Sequence, residues 1–279
     1  MTSIFLGLIA AVTWGASDFA GGLSSRRIGA FTSVFFAELI GLFFVLTALW
    51  FVHEPLPPLH IFLLCMGIGA IGSFSLMLLY KSMASGQMSI ATPVSGVVAA
   101  VLPVIVGLYT DGSPGPARIS GFCFAIAAVW LISKNTNDRI PFFDQLASLR
   151  LPILAGLGFG LYFVLINHVT QEATLWPMVA SRIGGTIFMF FFVKIGHEKL
   201  SPNRDVLWLM IINGVLDSVG NLAFILAGQQ GRMDIASVLG SLYPGGTVIL
   251  AWLFLKEKIN LQQRIGIVAA LTAIVLLAI

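Results

Sequence analysis

Charge is scarce in this chain. Asp, Glu, Lys and Arg make up 10% of its 279 residues, against about 25% in an ordinary soluble domain. Fifteen basic and twelve acidic residues cannot furnish the polar shell a water-soluble enzyme of this size requires. Cysteine is nearly missing too: Cys65 and Cys123 both fall within apolar runs, so no disulfide framework is implied. No Lys or Arg precedes the first apolar run, which argues against a cleaved signal peptide and for a permanent first helix. The basic residues stand singly or in twos and threes, so they read as loop anchors and no nucleic-acid partner is expected. There is no Walker loop, and Gly156-Leu157-Gly158-Phe159-Gly160 continues with leucine inside an apolar run, so no dinucleotide site is expected. His53, His60, His168 and His197 lack ligand spacing, so neither metal nor cofactor is expected.

Hydrophobic residues, by contrast, are 58% of the chain, which makes the lipid bilayer its solvent. Apolar runs fall near residues 4–23, 30–51, 61–80, 90–109, 119–133, 151–169, 176–193, 206–227, 235–255 and 265–279. A helical span needs about 20 apolar residues, so ten short-looped helices fit the length. The runs lack the alternation of a membrane barrel. The expected fold is an all-α integral membrane protein with ten transmembrane helices.

The longest polar stretch, residues 134–150, divides the chain near its middle and prompts a search for duplication. An offset of 145 pairs Gly15 with Gly160, Gly69 with Gly214, Ser73 with Ser218, Gly86 with Gly231, Met88 with Met233, Ile90 with Ile235, Gly121 with Gly266 and Ala125 with Ala270. Two five-helix repeats are expected, over residues 1–140 and 141–279. An odd number of spans per repeat makes the second copy enter the membrane upside down, the inverted repeat of secondary transporters. One set of loops carries Arg26, Arg27, Lys81, Lys134, Arg139, Arg150, Lys194, Lys199, Arg204, Lys256, Lys258 and Arg264, and the other only Arg118 and Arg232. The richer set belongs in the cytoplasm, which places both termini outside it, with the plasma or inner cell membrane as the expected location.

The late part of each half carries a resemblance. Gly231-Arg232-Met233-Asp234-Ile235-Ala236-Ser237, then Leu242-Tyr243-Pro244, then Phe254-Leu255-Lys256-Glu257-Lys258 and Gly266 resemble the ninth and tenth helices of EamA-type transporters of the drug/metabolite transporter superfamily. The first copy, from Gly86 through Pro93 and Pro103 to Gly121, departs from the second by carrying Gly112 where Glu257 stands. Trp14-Gly15 is also similar to that family's first helix. The resemblance implies ten helices, transport and export, and is silent on cargo.

A charge in hydrocarbon costs at least ~2.5 to 3.5 kcal/mol, so such residues face a cavity or a partner. Glu38 and Arg182 occupy equivalent positions at an offset of 144. If their helices meet, they form either a gating ion pair or a static one. Asp217 has no charged partner evident in sequence, which suits a carboxylate that alternately binds a proton and a cationic group; Asn221, four residues on, offers a purely structural hydrogen bond instead. Asp18 shares a helix face with Trp14, so a carboxylate and an aromatic plane can meet an amine; the other reading pairs Asp18 with Arg26 or Arg27. Hydroxyls at Ser73, Tyr80, Thr92, Ser95, Ser237 and Ser241 either touch substrate or bond neighbouring helices. With Tyr243, the substrate-binding candidates are Trp14, Asp18, Tyr80, Asp217, Asn221, Ser241 and Tyr243. Pro93 and Pro244, in repeat-equivalent helices, join Glu38 and Arg182 as gating candidates, because proline bends a helix. Gly121 with Ala125 and Gly266 with Ala270 form small-residue seams, between the halves or in a homodimer.

The expected function is secondary, proton-coupled transport of a small polar metabolite such as an amino acid, amine or organic cation, with no enzymatic activity. The alternatives are an integral-membrane enzyme or a flippase component acting on lipid-linked substrates. Such enzymes gather acids or histidines in interfacial loops, and no such gathering is visible in the sequence.

Overall fold

The computed structural model describes residues 2–86, 88–111, 115–133, 149–170, 173–200, 204–230, 239–257 and 259–278. Among these there are ten α-helices: α1 Thr2–Ile28, α2 Ala30–Phe51, α3 Leu59–Ser85, α4 Met88–Asp111, α5 Pro116–Ser133, α6 Arg150–Val169, α7 Leu175–Ile195, α8 Arg204–Gln229, α9 Tyr243–Leu250 and α10 Leu261–Ala278. A π-helical turn, Ala251–Leu255, continues α9. The repeated stretch 231–237 and the polar stretch 134–148 lie outside the described residues.

Six helices, α1, α2, α3, α6, α7 and α8, are long and apolar enough to cross a membrane. The apolar stretches of the other four are shorter, at Met88–Pro103, Ile119–Ala128, Tyr243–Leu255 and Leu261–Leu276. Several helices outrun the apolar runs that announce them: α3 extends through Lys81 to Ser85 and α8 begins at Arg204, because backbone hydrogen bonding continues past the last apolar side chain.

The distribution of polarity is that of a protein in lipid. Trp50, Phe51, Leu59, Ile195, Trp208 and Phe254 face outward, whereas Ser17, Asp18, Thr32, Ser33, Glu38, Ser73, Arg182, Asn213 and Asp217 are buried. Hydrocarbon accepts the first set without cost, and the second must find partners inside.

Packing is mostly between the two halves of the chain. Helix α1 lies on α8 and α9, α3 on α6 and α7, α2 on α7 and α8, α4 on α6 and α10, and α5 on α10. The small-residue seam is used within the chain: Ala125 and Ala128 of α5 and Ala270 and Ala273 of α10 are buried in one apolar cluster.

Side-chain bonds identify the two ends of the bundle. At one end Arg26, after most of α1, donates to the carbonyls of Met83 and Gly86 and to Glu257. Glu198, beyond α7, accepts from the Thr32 N–H at the start of α2. At the other end Glu54, beyond α2, accepts from the N–H groups of Thr174, Leu175 and Trp176 at 2.6 to 2.8 Å, and Ser3 donates to the Ala227 carbonyl at the close of α8. Helices α2 and α7 therefore run antiparallel, each capped by a glutamate that follows the other.

Proline acts differently in α4 and α9. Pro93 and Pro103 lie inside α4. Pro244 instead occupies the first turn of α9, where a missing N–H leaves no bond unmade. The expected kink at Pro244 is thus corrected: the break falls at the turn of Ser241 and Leu242 just before it.

Candidate functional site

A cavity in the middle of the bundle is lined by residues of α1, α2, α3, α6, α7, α8 and α9. Charged and polar groups in its wall include Asp18, Glu38, Ser73, Tyr162, Arg182, Asp217, Asn221 and Tyr243, and its aromatic wall includes Trp14, Phe159 and Phe163. It measures about 60 Å³, room for roughly four to six water molecules.

Arg182 organises the charge. Its Nη1 donates to Glu38 Oε2 at 2.9 Å, and its Nη2 donates to Asp217 Oδ2. All three side chains are about nine-tenths buried. Ser73 Oγ donates to the other Glu38 oxygen at 2.7 Å. Asn221 Nδ2 donates to Asp217 Oδ2 at 3.2 Å and to the Asp217 carbonyl at 2.8 Å, while Tyr162 OH donates to Asn221 Oδ1 at 2.8 Å. A planar guanidinium with a fixed fork of donors is suited to hold two carboxylates at once, as a lysine ammonium is not. The reading of Asp217 as lacking a charged partner is corrected here. Its partner, Arg182, is invisible in the sequence because it comes from a different helix, 35 residues away.

Close helix contact makes this possible. A Cβ at Gly214 would stand 2.8 Å from the Ala37 carbonyl, and one at Gly69 would run into the Ser181 carbonyl. Both glycines are spacers that let α8 approach α2 and α3 approach α7, and each contact lies next to a charged member of the triad, Glu38 or Arg182.

Asp18 lies on the same wall as Trp14, as its spacing implied, and it is not paired with Arg26, whose guanidinium is engaged at the end of the bundle. Among the described residues no basic side chain stands within salt-bridge distance of Asp18, and its charged neighbour is Asp217. Trp14 stacks on Phe163 with ring centroids 5.5 Å apart and tilts on Phe224 at 5.5 Å. Tyr243 lines the cavity as well.

The remaining expected residues sit outside the cavity wall. Tyr80 OH donates to Asn213 Oδ1 at 2.9 Å, and Ser17 Oγ donates to the same oxygen at 2.8 Å. This buried layer lies between the cavity and the end marked by Arg26. Ser241 and Pro244 pack on Gly96 of α4, and Pro93 is buried in α4. Residues the sequence reading missed are Tyr162, Glu54 and Glu198; Glu257 enters it only through the resemblance, with no role assigned. Glu54 and Glu198 are related by the offset of 144 that relates Glu38 to Arg182, a signal available in the sequence.

The family model for the EamA-like transporter family matches residues 1–134 and 148–279. An uncharacterized protein of Methanocaldococcus jannaschii is 32% identical over 136 residues, 49% of this chain and 98% of that protein. An uncharacterized solute carrier family 35 member of Schizosaccharomyces pombe is 38% identical over 72 residues, 26% of this chain and 14% of that protein. A solved crystal structure shares the fold with a TM-score of 0.73, covering 98% of this chain and 95% of that one at 11% identity. The chain belongs to the EamA-like transporter family of multi-pass membrane transporters.

Proposed function

We propose that this transporter moves a small cationic or zwitterionic metabolite, such as an amine or amino acid, outward across the cell membrane. Two inverted five-helix halves, 1–140 and 141–279, rock about the central cavity, and protons are the coupling partner. The observation that carries the reading is the composition of the cavity wall, where three carboxylates meet a single guanidinium beside Trp14. With Arg182 occupied by Glu38 and Asp217, Asp18 is left to receive positive charge from the cargo or a proton.

The inverted arrangement has its own support. Adding five to a helix number turns the pair α1–α8 into α6–α3, α2–α8 into α7–α3, and α4–α6 into α9–α1, and each of these pairs is in contact; α2–α7 and α5–α10 map onto themselves. A twofold relation between the halves produces that list. The antiparallel course of α2 and α7 is what inversion demands. A relative whose near-full length aligns with half of this chain also fits a duplicated unit.

A thermal-stability screen of the purified protein against metabolites at two pH values tests the cargo class. A ligand at a hundred times its Kd raises unfolding free energy by ~2.7 kcal/mol. Saturable stabilisation by ammonium-bearing compounds, lost in Asp18→Asn, is expected. Stabilisation by organic anions with none by amines would overturn the assignment.

A further inference from the structure

Three glutamates outside the cavity cross between elements of the two halves. Glu54 and Glu198 are equivalent by the 144 offset and hold the α2–α7 pair at both ends at the same time. Because these two contacts stand at both ends in one conformation, they do not distinguish one face from the other. Glu257 is different. Its Oε1 accepts from the Met88 N–H at 3.1 Å and its Oε2 from the Ser89 N–H at 3.0 Å, at the start of α4. Arg26 Nη2 of α1 reaches Oε1 at 3.4 Å. The position equivalent to Glu257 in the first half is Gly112, which has no side chain to offer, and among the described residues this connection stands at one face.

Its location gives it a consequence. Arg26 also donates to the carbonyls of Met83 and Gly86, so α1, the end of α3, the start of α4 and the end of α9 meet at this one carboxylate, whose side chain is 8% exposed. Behind it, Met83 and Met88 pack on Gly22, and the Tyr80–Asn213–Ser17 layer separates that cluster from the cavity. The backbone leading to Glu257 is irregular: the π-helical turn Ala251–Leu255 ends at Lys256, which has φ 51° and ψ 38°. A left-handed conformation is costly for a residue with a side chain, and π turns recur where a helix must be re-aimed. The turn delivers Glu257 to α4.

We infer that Glu257 is a gating residue for transport: with Arg26 it latches α4 and α9 together to seal the cavity toward the face that carries most of the basic loops, and it lets go when the cavity opens there. This rests on the proposed two-state access. The charge matters, since ionic hydrogen bonds from a carboxylate to two backbone N–H groups and a guanidinium are stronger than those an amide can form.

Sided labelling tests it. In full-length protein in proteoliposomes, with Cys65→Ala and Cys123→Ala, Leu76→Cys places a thiol on the cavity wall, read with a membrane-impermeant maleimide applied to each face. This parent, which samples both access states, is expected to react from both faces. Glu257→Gln should raise the ratio of basic-face to opposite-face rates by about tenfold, Arg26→Gln should move it the same way by less, and Glu198→Gln should leave it unchanged. An unaltered ratio in folded Glu257→Gln, with the parent reactive from both faces, overturns the latch. Reaction from one face alone in every variant overturns instead the two-state access on which it rests. Should Glu257→Gln fail to fold, Arg26→Gln carries the same test with the same outcomes.

Discussion

At Arg182 one guanidinium is asked to neutralise two carboxylates in a space closed to water. Desolvating each ion costs several kcal/mol, recovered only while the partners stay paired. Arg182→Gln strands Glu38 and Asp217 as unpaired buried acids, and removing one member of a buried pair costs about 3 to 5 kcal/mol; denaturant unfolding in detergent should show a loss of that size. Arg182→Lys keeps the charge but replaces the fork with a point, so it should fall between wild type and Gln. The double change Glu38→Gln with Arg182→Gln removes the pair and leaves Asp217 its bond from Asn221. If the triad gates transport, this protein folds and fails in uptake assays; undiminished uptake makes the pair static. One of the triad's two ion pairs was legible beforehand. Glu38 and Arg182 could be matched because duplication puts them at equivalent depths on helices that meet across the internal axis. Asp217 could not be matched to Arg182, since nothing in periodicity says which faces of α7 and α8 turn toward each other.

At the scale of helices, approach distance is set by glycine. Gly69 of α3 sits against the Ser181 carbonyl of α7, and Gly214 of α8 against the Ala37 carbonyl of α2. A methyl at Gly69 meets backbone, which cannot rotate aside, and overpacking of this kind costs about 1 to 3 kcal/mol. Gly69→Ala is therefore expected to lower the unfolding midpoint and to weaken the Arg182 triad, which depends on the same helix spacing. Gly67→Ala, whose added carbon meets nothing within 4 Å, should be neutral or slightly stabilising, because alanine is the better helix former. Equal midpoints for the two variants would show that the α3–α7 distance is not limited by this glycine. The sequence made Gly69 and Gly214 conspicuous as a repeated pair, but it could not say that each abuts a carbonyl. The break before Pro244 was harder to read: a proline in an apolar run is compatible with both a kink and a fresh helix start, and only the turn at Ser241 and Leu242 distinguishes them. Glu54 and Glu198 escaped notice for a similar reason, since an acid between two spans ordinarily reads as solvated.

For the molecule as a whole, the two ends of the bundle differ in charge as well as in contacts. Arg26, Lys81, Lys194, Lys199, Lys256 and Arg264 lie near the end held by Glu198 and Glu257, whereas the start of α1 joins the close of α8 at the end held by Glu54. Basic residues are retained on the cytoplasmic side, so the N-terminus is expected on the opposite side. Helix α10 starts beside Arg264 and, at 18 residues, rises about 27 Å, close to the thickness of a hydrocarbon core. On that length the C-terminus is expected on the same side as the N-terminus. An epitope tag at either end should thus be labelled on intact cells or spheroplasts without permeabilisation, and a cysteine replacing Lys199 should react only after it. Termini accessible only after permeabilisation would reverse this orientation and, with it, the direction in which the Glu257 latch opens, while leaving the charge asymmetry between the two ends to be explained by something other than retention of basic loops.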